Sequence, residues 1–203
     1  MAQNNQSIRW RKILQNVLGI LIIICFLASG FFLWRHFDNI NSQYDNAKVA
    51  INNAERVIKN GTDFRTDKPK VGDAIGTIRI EGLTDEMPLI EGDDLNDAMA
   101  HGVGHIPQTP LPGTFSGEPA VSAHRETFFK PLKDAKEGDI VVITMPYGTY
   151  RYEIYKSFVF DPDEWPTTDE TINKERLLLI TCYPFNAWQS PDKRIAFFAN
   201  LIE

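Results

Sequence analysis

Cys182 is the residue whose type and setting most directly suggest chemistry. An apolar run at residues 178–180 leads through Thr181 to this cysteine, and Pro184 then prevents the strand ladder from continuing unchanged. The pattern predicts a buried strand that presents a thiol at its open end. The second cysteine, Cys25, lies in an apolar N-terminal segment, so we expect Cys182 to lack a disulfide partner and to be available as a nucleophile.

Acyl transfer by a thiol also requires a proton shuttle and a group that stabilises the oxyanion. Of the four histidines, His124 ends an apolar strand as Cys182 does, whereas His105 lies in a Gly-Val-Gly-His-Ile-Pro segment. A single histidine is more often a hydrogen-bonded structural residue than a catalyst, and sequence spacing pairs neither with the cysteine. Arg194 opens a strand after the loop 183–193. If the strands flanking this loop are neighbours, Arg194 lies near Cys182; otherwise it is an ordinary surface arginine.

No ligand set for a metal or a phosphate group stands out. Cys182 has no second cysteine or histidine at the spacing of a zinc site. The acidic run at residues 161–170 could hold calcium, but it lacks the regular spacing of an EF-hand, and we interpret it as a solvated loop. A glycine-rich phosphate loop is also missing from the sequence. We therefore predict no cofactor, with calcium as the alternative.

Beyond residue 70 the sequence alternates between short strands and turn signals, and helical pattern is scarce. We predict strands at residues 76–80, 88–92, 120–124, 139–145, 149–160, 177–182 and 194–202. Many short strands with few helices predict an all-β domain, either closed into a barrel or packed as a sandwich. This domain, at residues 71–203, must position the thiol.

The N-terminal segment has the composition of a membrane anchor. Residues 17–34 carry no charge and are about as long as a helix that spans a bilayer. Three basic residues precede them and only Arg35 directly follows, which places the N-terminus in the cytoplasm and the rest of the chain outside the cell. We predict a cytoplasmic tail at 1–12 and a single transmembrane anchor at 13–36, in preference to a cleaved signal peptide, because the apolar core is unusually long.

Between the anchor and the domain, the sequence changes first to a helical and then to a polar pattern. Apolar residues recur every three or four positions through residues 37–60, and Gly61 fits a helix stop. We interpret this helix as a stalk that lifts the domain from the membrane. A polar linker at residues 61–70 follows it.

The charge balance restricts the class of partner. The net charge is −6, and because residues 1–36 hold four basic and no acidic side chains, the remainder carries −10. Such an acidic domain argues against nucleic acid as a partner.

Three of these motifs in this order resemble the sortases, the cysteine transpeptidases of Gram-positive cell surfaces. Residues 178–182 resemble their T-L-x-T-C active-site motif, residues 122–125 resemble their G-H-R histidine motif, and Arg194 matches the position of their arginine. Leu178 stands where threonine is usual and Ala123 where glycine is common, but neither difference removes a reactive group. The compact length and the Cys-Tyr-Pro-Phe sequence look most like class D, with class A as the second choice.

The resemblance implies an eight-stranded barrel with short helices, in which Cys182, His124 and Arg194 meet at one end. Cys182 would attack the threonine carbonyl of an LPxTG-like sorting signal, His124 would move the proton, and Arg194 would hold the carbonyl or stabilise the oxyanion. Thr181 would help to shape the substrate pocket, and His105 would be a structural or substrate-side residue outside the catalytic group.

The resemblance also implies the partners. Surface proteins with a sorting signal would be the substrates, and an amine of a peptidoglycan precursor would accept them. The alternative from a different class is a non-catalytic, membrane-tethered β-domain for adhesion or assembly, in which Cys182 is a core thiol. A core cysteine resists thiol reagents in the folded state, whereas a site cysteine reacts with them.

Overall fold

The computed structural model describes residues 2–64, 66–92, 98–115, 117–167, 174–186 and 190–203, with side chains from residue 10 onward. The chain divides into two compact units, Met1–Ser42 and Gln43–Glu203. Helix α1 spans Ala2–Asn60, so its first part forms the N-terminal unit and its last part belongs to the second unit.

The N-terminal unit is an apolar helix whose side chains face outward. Large apolar residues such as Ile22, Phe26 and Phe32 are exposed along it, and the predicted anchor at residues 17–34 lies within it. Among the residues that the structure describes, α1 is the one helix long and apolar enough to cross a membrane. A helix that is apolar on all sides needs an apolar environment, so this segment fits a membrane anchor.

The second unit is built from strands. Its described residues form β1 (Ala74–Ile80), β2 (Met87–Glu91), β3 (Val103–His105), β4 (Ala120–Ser122), β5 (Ile140–Met145), β6 (Gly148–Phe160), β7 (Arg176–Tyr183) and β8 (Lys193–Leu201). Two short helices lie between strands: α2 (Ala98–His101) and a 3₁₀ helix (Lys130–Asp134).

These strands close into a barrel in the order β1-β2-β3-β4-β7-β8-β6-β5. The predicted all-β, eight-stranded barrel is therefore confirmed, and the sandwich alternative is wrong. Most neighbouring strands are antiparallel, but β4 pairs with β7 in parallel, from Ala120↔Leu178 to Ser122↔Ile180. This pairing places the strand before His124 beside the strand before Cys182.

Side chains on the two faces of the sheet form two apolar clusters. Each of the eight strands contributes to the first, the interior cluster, which fills the barrel. The second, the outer cluster, lies on the opposite face of β4, β7 and β8 and comprises Ile106, Ala120, Phe160, Leu178, Ile180, Ala196 and Phe198. Because successive residues of a strand point to opposite faces, β7 is buried on both sides, which explains its nearly continuous apolar sequence.

The last part of α1 packs against the barrel. Ala47, Ala50 and Ala54 are buried, and their spacing of three and four residues places them on one side of the helix. Ala47 belongs to the interior cluster, and the ring of Tyr44 lies edge-on to Phe128 with centroids 5.8 Å apart. Part of the segment predicted as a stalk thus contributes to the core of the barrel unit.

Candidate active site

Cys182 and Arg194 lie opposite each other on neighbouring strands. β7 and β8 are antiparallel, and their register pairs Cys182 with Arg194 and Thr181 with Ile195. Residues paired in this way project from the same face of the sheet, with roughly 4.5–5.5 Å between their Cβ atoms. The loop that separates the two residues in sequence therefore returns the guanidinium to the side of the thiol.

His124 follows β4, the strand on the other side of β7 from β8 and Arg194. The last residue pair between β4 and β7 is Ser122↔Ile180, and His124 and Cys182 each follow their strand's member of that pair by two residues. Parallel strands advance together at about 3.3 Å per residue. The segments that carry His124 and Arg194 consequently flank the segment that carries Cys182.

The side chains of Cys182 and Arg194 point to the same face of the sheet. Leu178 and Ile180 belong to the outer cluster, and the two-residue alternation continues from them to Cys182. Ala196 and Phe198 relate to Arg194 in the same way along β8. The side chains of Cys182, His124 and Arg194 are half-buried, so the sulfur is neither sealed in the core nor fully in solvent.

Thr181 and Arg125, the immediate neighbours of the reactive residues, are buried and hydrogen-bonded. The hydroxyl of Thr181 donates to the carbonyl oxygen of Ala123 over 2.8 Å, and Nη1 of Arg125 donates to the carbonyl oxygen of Pro184. Arg125 is the arginine of the segment that resembles the G-H-R motif, but no role for this residue followed from the sequence.

The structure does not bring His105 to this group. Its Nδ1 lies 2.8 Å from Oε2 of Glu91, and its Nε2 lies 3.0 Å from the carbonyl oxygen of Pro110. Since a carbonyl can only accept, Nε2 carries a hydrogen. His105 pairs with Val121 across β3 and β4, which places it on the order of 14 Å from Cys182 by standard strand spacing.

The rim of the site carries ionic contacts from the predicted acidic run. Nζ of Lys193 lies 2.5 Å from Oδ1 of Asp161, and this hydrogen bond, with the attraction of the carboxylate, raises the pKa of Lys193. No group of three or more potential metal-ligating side chains occurs in the part of the chain that the structure describes. Asp169 and Glu170, which belong to the calcium alternative, lie outside those residues.

This arrangement is suited to nucleophilic acyl transfer. A thiol between an imidazole and a guanidinium has a proton shuttle on one side and a positive charge for an oxyanion on the other. Of the two arginines in the segments that flank Cys182, Arg125 is 5% exposed and its guanidinium donates to a backbone carbonyl oxygen. Arg194 is half-buried, and its Nη1 donates to the carbonyl oxygen of the neighbouring Lys193 over 3.1 Å, so its guanidinium remains partly open to solvent.

Comparisons with known proteins agree with this chemistry. Residues 78–202 match the family model described as the Sortase domain. The chain is 32% identical over 148 residues to Sortase D of Bacillus subtilis (strain 168), which covers 71% of this chain and 74% of that protein. It is 27% identical over 115 residues to Sortase A of Streptococcus agalactiae serotype III (strain NEM316), covering 53% and 46%.

Solved structures show the same barrel. Sortase C-1 from Actinomyces oris superposes with a TM-score of 0.57 at 25% identity and covers 64% of this chain and 76% of that one. A Clostridium perfringens Sortase D5 transpeptidase superposes with a TM-score of 0.59 at 24% identity, over 82% of this chain and 99% of that one. The second likeness concerns the fold alone.

Proposed function

This chain belongs to the sortase family of cysteine transpeptidases, and from that premise we propose that it cleaves an LPxTG-like sorting signal after threonine and joins the protein to a cell-wall peptidoglycan amine. Two observations support the proposal: β7 and β8 pair Cys182 with Arg194, and the parallel pairing of β4 with β7 ends two residues before His124 and Cys182. Family membership makes the chain an enzyme and removes the support for a non-catalytic tethered β-domain.

The proposed reaction proceeds in two acyl transfers. The thiolate of Cys182 attacks the threonine carbonyl carbon, and the peptide C–N bond breaks as His124 protonates the leaving amine. The acyl group then rests on sulfur as a thioester. An incoming amine gives a proton to His124 and attacks the thioester carbon, which forms the new amide and releases the thiolate. Arg194 holds the carbonyl oxygen and stabilises its negative charge in both steps.

In our proposal, Thr181 and His105 support this site by holding neighbouring strands together. Both are buried, at 3% and 1% exposure, and their polar atoms bond Ala123 and Glu91. They would shape the substrate pocket by fixing the strands around it.

We place the catalytic domain outside the cell, where sorting-signal-bearing proteins are its substrates. The exposed apolar helix of the N-terminal unit supports a membrane anchor, and the basic residues before it favour a cytoplasmic N-terminus. A tethered enzyme of this kind would meet both exported proteins and peptidoglycan precursors at the membrane surface.

Thioester formation with a labelled sorting peptide tests the proposal. Cys182→Ala should abolish the covalent adduct, detected by mass spectrometry, because no other described residue at this sheet end supplies a thiol. His124→Ala should reduce turnover by roughly 10²–10⁴-fold, the usual contribution of general acid–base catalysis.

His105→Ala is the comparison for His124→Ala. This variant should still form the adduct. The free energy of unfolding of the protein should fall, however, because the buried carboxylate of Glu91 loses its partner. A dead His105→Ala enzyme beside an active His124→Ala enzyme would reverse the assignment of the proton shuttle. A thioester that still forms in Cys182→Ala would rule out the nucleophile.

A further inference from the structure

Two hydrogen bonds connect the segment around His124 to the segment around Cys182. The first bond lies on the N-terminal side of both reactive residues. The hydroxyl of Thr181 donates to the carbonyl oxygen of Ala123 over 2.8 Å, across 58 positions of sequence. This bond lies on the inner face of the sheet, because Ala123 belongs to the interior cluster. It fixes the ends of β4 and β7 to each other just below the site.

Beyond the reactive residues, Arg125 makes the second link. Its guanidinium donates to the carbonyl oxygen of Pro184, across 59 positions of sequence. The side chain of Arg125 is 6% exposed and also lies 3.6 Å from the carboxylate of Glu126. A guanidinium presents donors in a rigid plane, so this contact fixes direction as well as distance.

The two bonds and the backbone between them close a ring, the site ring, made of residues 123–125 and 181–184. His124 is the middle residue of the first side, and Cys182 lies within the second. Each reactive residue is therefore held from both directions, by one bond before it and one after it. The distance between the backbones of the two reactive residues therefore depends on the ring as well as on the register of the strands.

We propose that Arg125 is a positioning residue that closes the site ring and thereby sets the separation of the His124 imidazole from the Cys182 sulfur. It acts on the reaction without touching the substrate. The inference rests on the proposed function, in which these two side chains work on the same bond.

The burial of Arg125 supports this role over a direct one. A guanidinium that stabilises an oxyanion must face the space where the substrate carbonyl arrives, and Arg125 is nearly covered by protein. Arg194, half-buried on the outer face beside Cys182, fits the direct role. The chain thus uses two arginines at one site for different purposes.

The first test measures thioester formation in single turnovers by Arg125→Met, which keeps the length of the side chain but loses its donors. Misplacing reactive groups by about 1 Å costs on the order of 10²-fold in rate, so we expect formation about 10- to 100-fold slower, with KM little changed. Arg125→Lys keeps one cationic donor and should recover part of the rate.

Thr181→Val removes the other bond of the ring and should also slow thioester formation. Thr181→Ser, which keeps the hydroxyl, should recover most of that loss.

The second test asks whether Arg125 acts through His124. The rate of alkylation of Cys182 by iodoacetamide is followed from pH 5 to 9 in the wild type, Arg125→Met, His124→Ala and the double variant. The curve of Arg125→Met should move toward that of His124→Ala, and the double variant should match His124→Ala, because the two changes remove one coupling. This measurement needs no sorting peptide, so it decides the positioning role even if the proposed function fails.

Arg176→Met is the matched control. Arg176 is another buried arginine, 4% exposed, bonded to Glu118 at the opposite end of β7. Its loss should lower the melting temperature without changing the alkylation curve.

Three results would overturn the proposal. The first is an Arg125→Met enzyme with wild-type thioester rates and a wild-type alkylation curve. The second is a defect in KM alone, which would mean that Arg125 contacts substrate. The third is an alkylation change that persists unreduced in the His124→Ala background.

Discussion

Glu175 illustrates how much a single buried side chain can organise. Its carboxylate is 1% exposed and accepts hydrogen bonds from the hydroxyl of Tyr152 (2.5 Å), the amide of Gly113 (2.7 Å) and the amide of Phe115 (2.6 Å). These contacts tie the β3–β4 connection to β6 and to the start of β7. Burial first, and then the adjacent Glu175 carboxylate, raise the pKa of Tyr152 well above its usual range.

Removing the Tyr152 hydroxyl should change the alkaline stability of the protein. The folded chain holds this proton more tightly than the unfolded chain, where tyrosine titrates near ~10. Its contribution is therefore complete below that pH and is lost as the pH rises above it. Tyr152→Phe should lower the free energy of unfolding by about 1–3 kcal/mol at pH 7, as expected for a hydrogen bond to a charged group.

As the pH rises from 9 to 11, the free energy of unfolding of Tyr152→Phe should fall less than that of the wild type. Urea unfolding across this range, with the difference between the two proteins plotted against pH, measures the effect. A constant difference at all pH values would show that the proton on Tyr152 is not what links stability to pH.

At this scale the sequence predicts candidate reactive groups but not the residues that support them. Cys182, His124 and Arg194 stood out by residue type and by position at strand ends. The bonds of Arg125 and Glu175 could not be predicted, because they join positions 59 and about 60 residues apart and depend on which strands become neighbours.

Among the elements, β3 is one of the two shortest strands of the barrel. It has three residues, yet it pairs in parallel with β2 and antiparallel with β4. Its central residue, Gly104, has no room for a side chain, since a Cβ there would lie 2.3 Å from the carbonyl oxygen of Gly92. Glycine is needed where another backbone approaches this closely.

Gly104→Ala should therefore be strongly destabilising. The backbone cannot yield as a flexible side chain could, so we expect a loss of at least about 2 kcal/mol, within the range for overpacked cores. Gly82→Ala is the control: a Cβ at Gly82 meets nothing within 4 Å, but the residue has a φ of +74°, a conformation that costs other residues roughly 1–2 kcal/mol. Thermal melts that rank Gly82→Ala as the more damaging change would contradict the close approach.

The hairpin between β5 and β6 was predictable and β3 was not. Long alternating strands around Pro146, Tyr147 and Gly148 predict the hairpin, and the structure pairs Met145 with Gly148 at its tip. A three-residue strand leaves no periodic pattern to detect. The parallel pairing of β4 with β7 could not be predicted either, because the local sequence of a strand does not show which distant strand it will pair with.

For the whole molecule, the last part of α1 completes the barrel unit. Ala54 is fully buried against it, whereas Val49 on the same helix is 64% exposed. The compact unit accordingly begins at Gln43, earlier than the domain boundary at residue 71 that the sequence predicts. Helical periodicity identified the helix but could not reveal what its alanine face packs against.

A chain that begins at Gln43 should melt at a higher temperature than one that begins at residue 61. Loss of the helix exposes apolar barrel surface, and each kcal/mol lost lowers the melting temperature by roughly 2–8 °C in domains of this size. In the longer chain, Ala54→Arg should bring the melting temperature toward that of the shorter one, and Val49→Arg should not. Equal melting temperatures for the two chains would show that the helix adds nothing to the barrel.

The parallel pairing of β4 with β7 also has a consequence for timing. The imidazole and the sulfur belong to segments that β5 and β6 separate in the chain, so the two segments come together only when β4 pairs with β7. Until then, a newly made copy carries an ordinary thiol with no imidazole beside it. A copy in which β4 and β7 have not yet paired would therefore lack the proton shuttle that the proposed reaction needs.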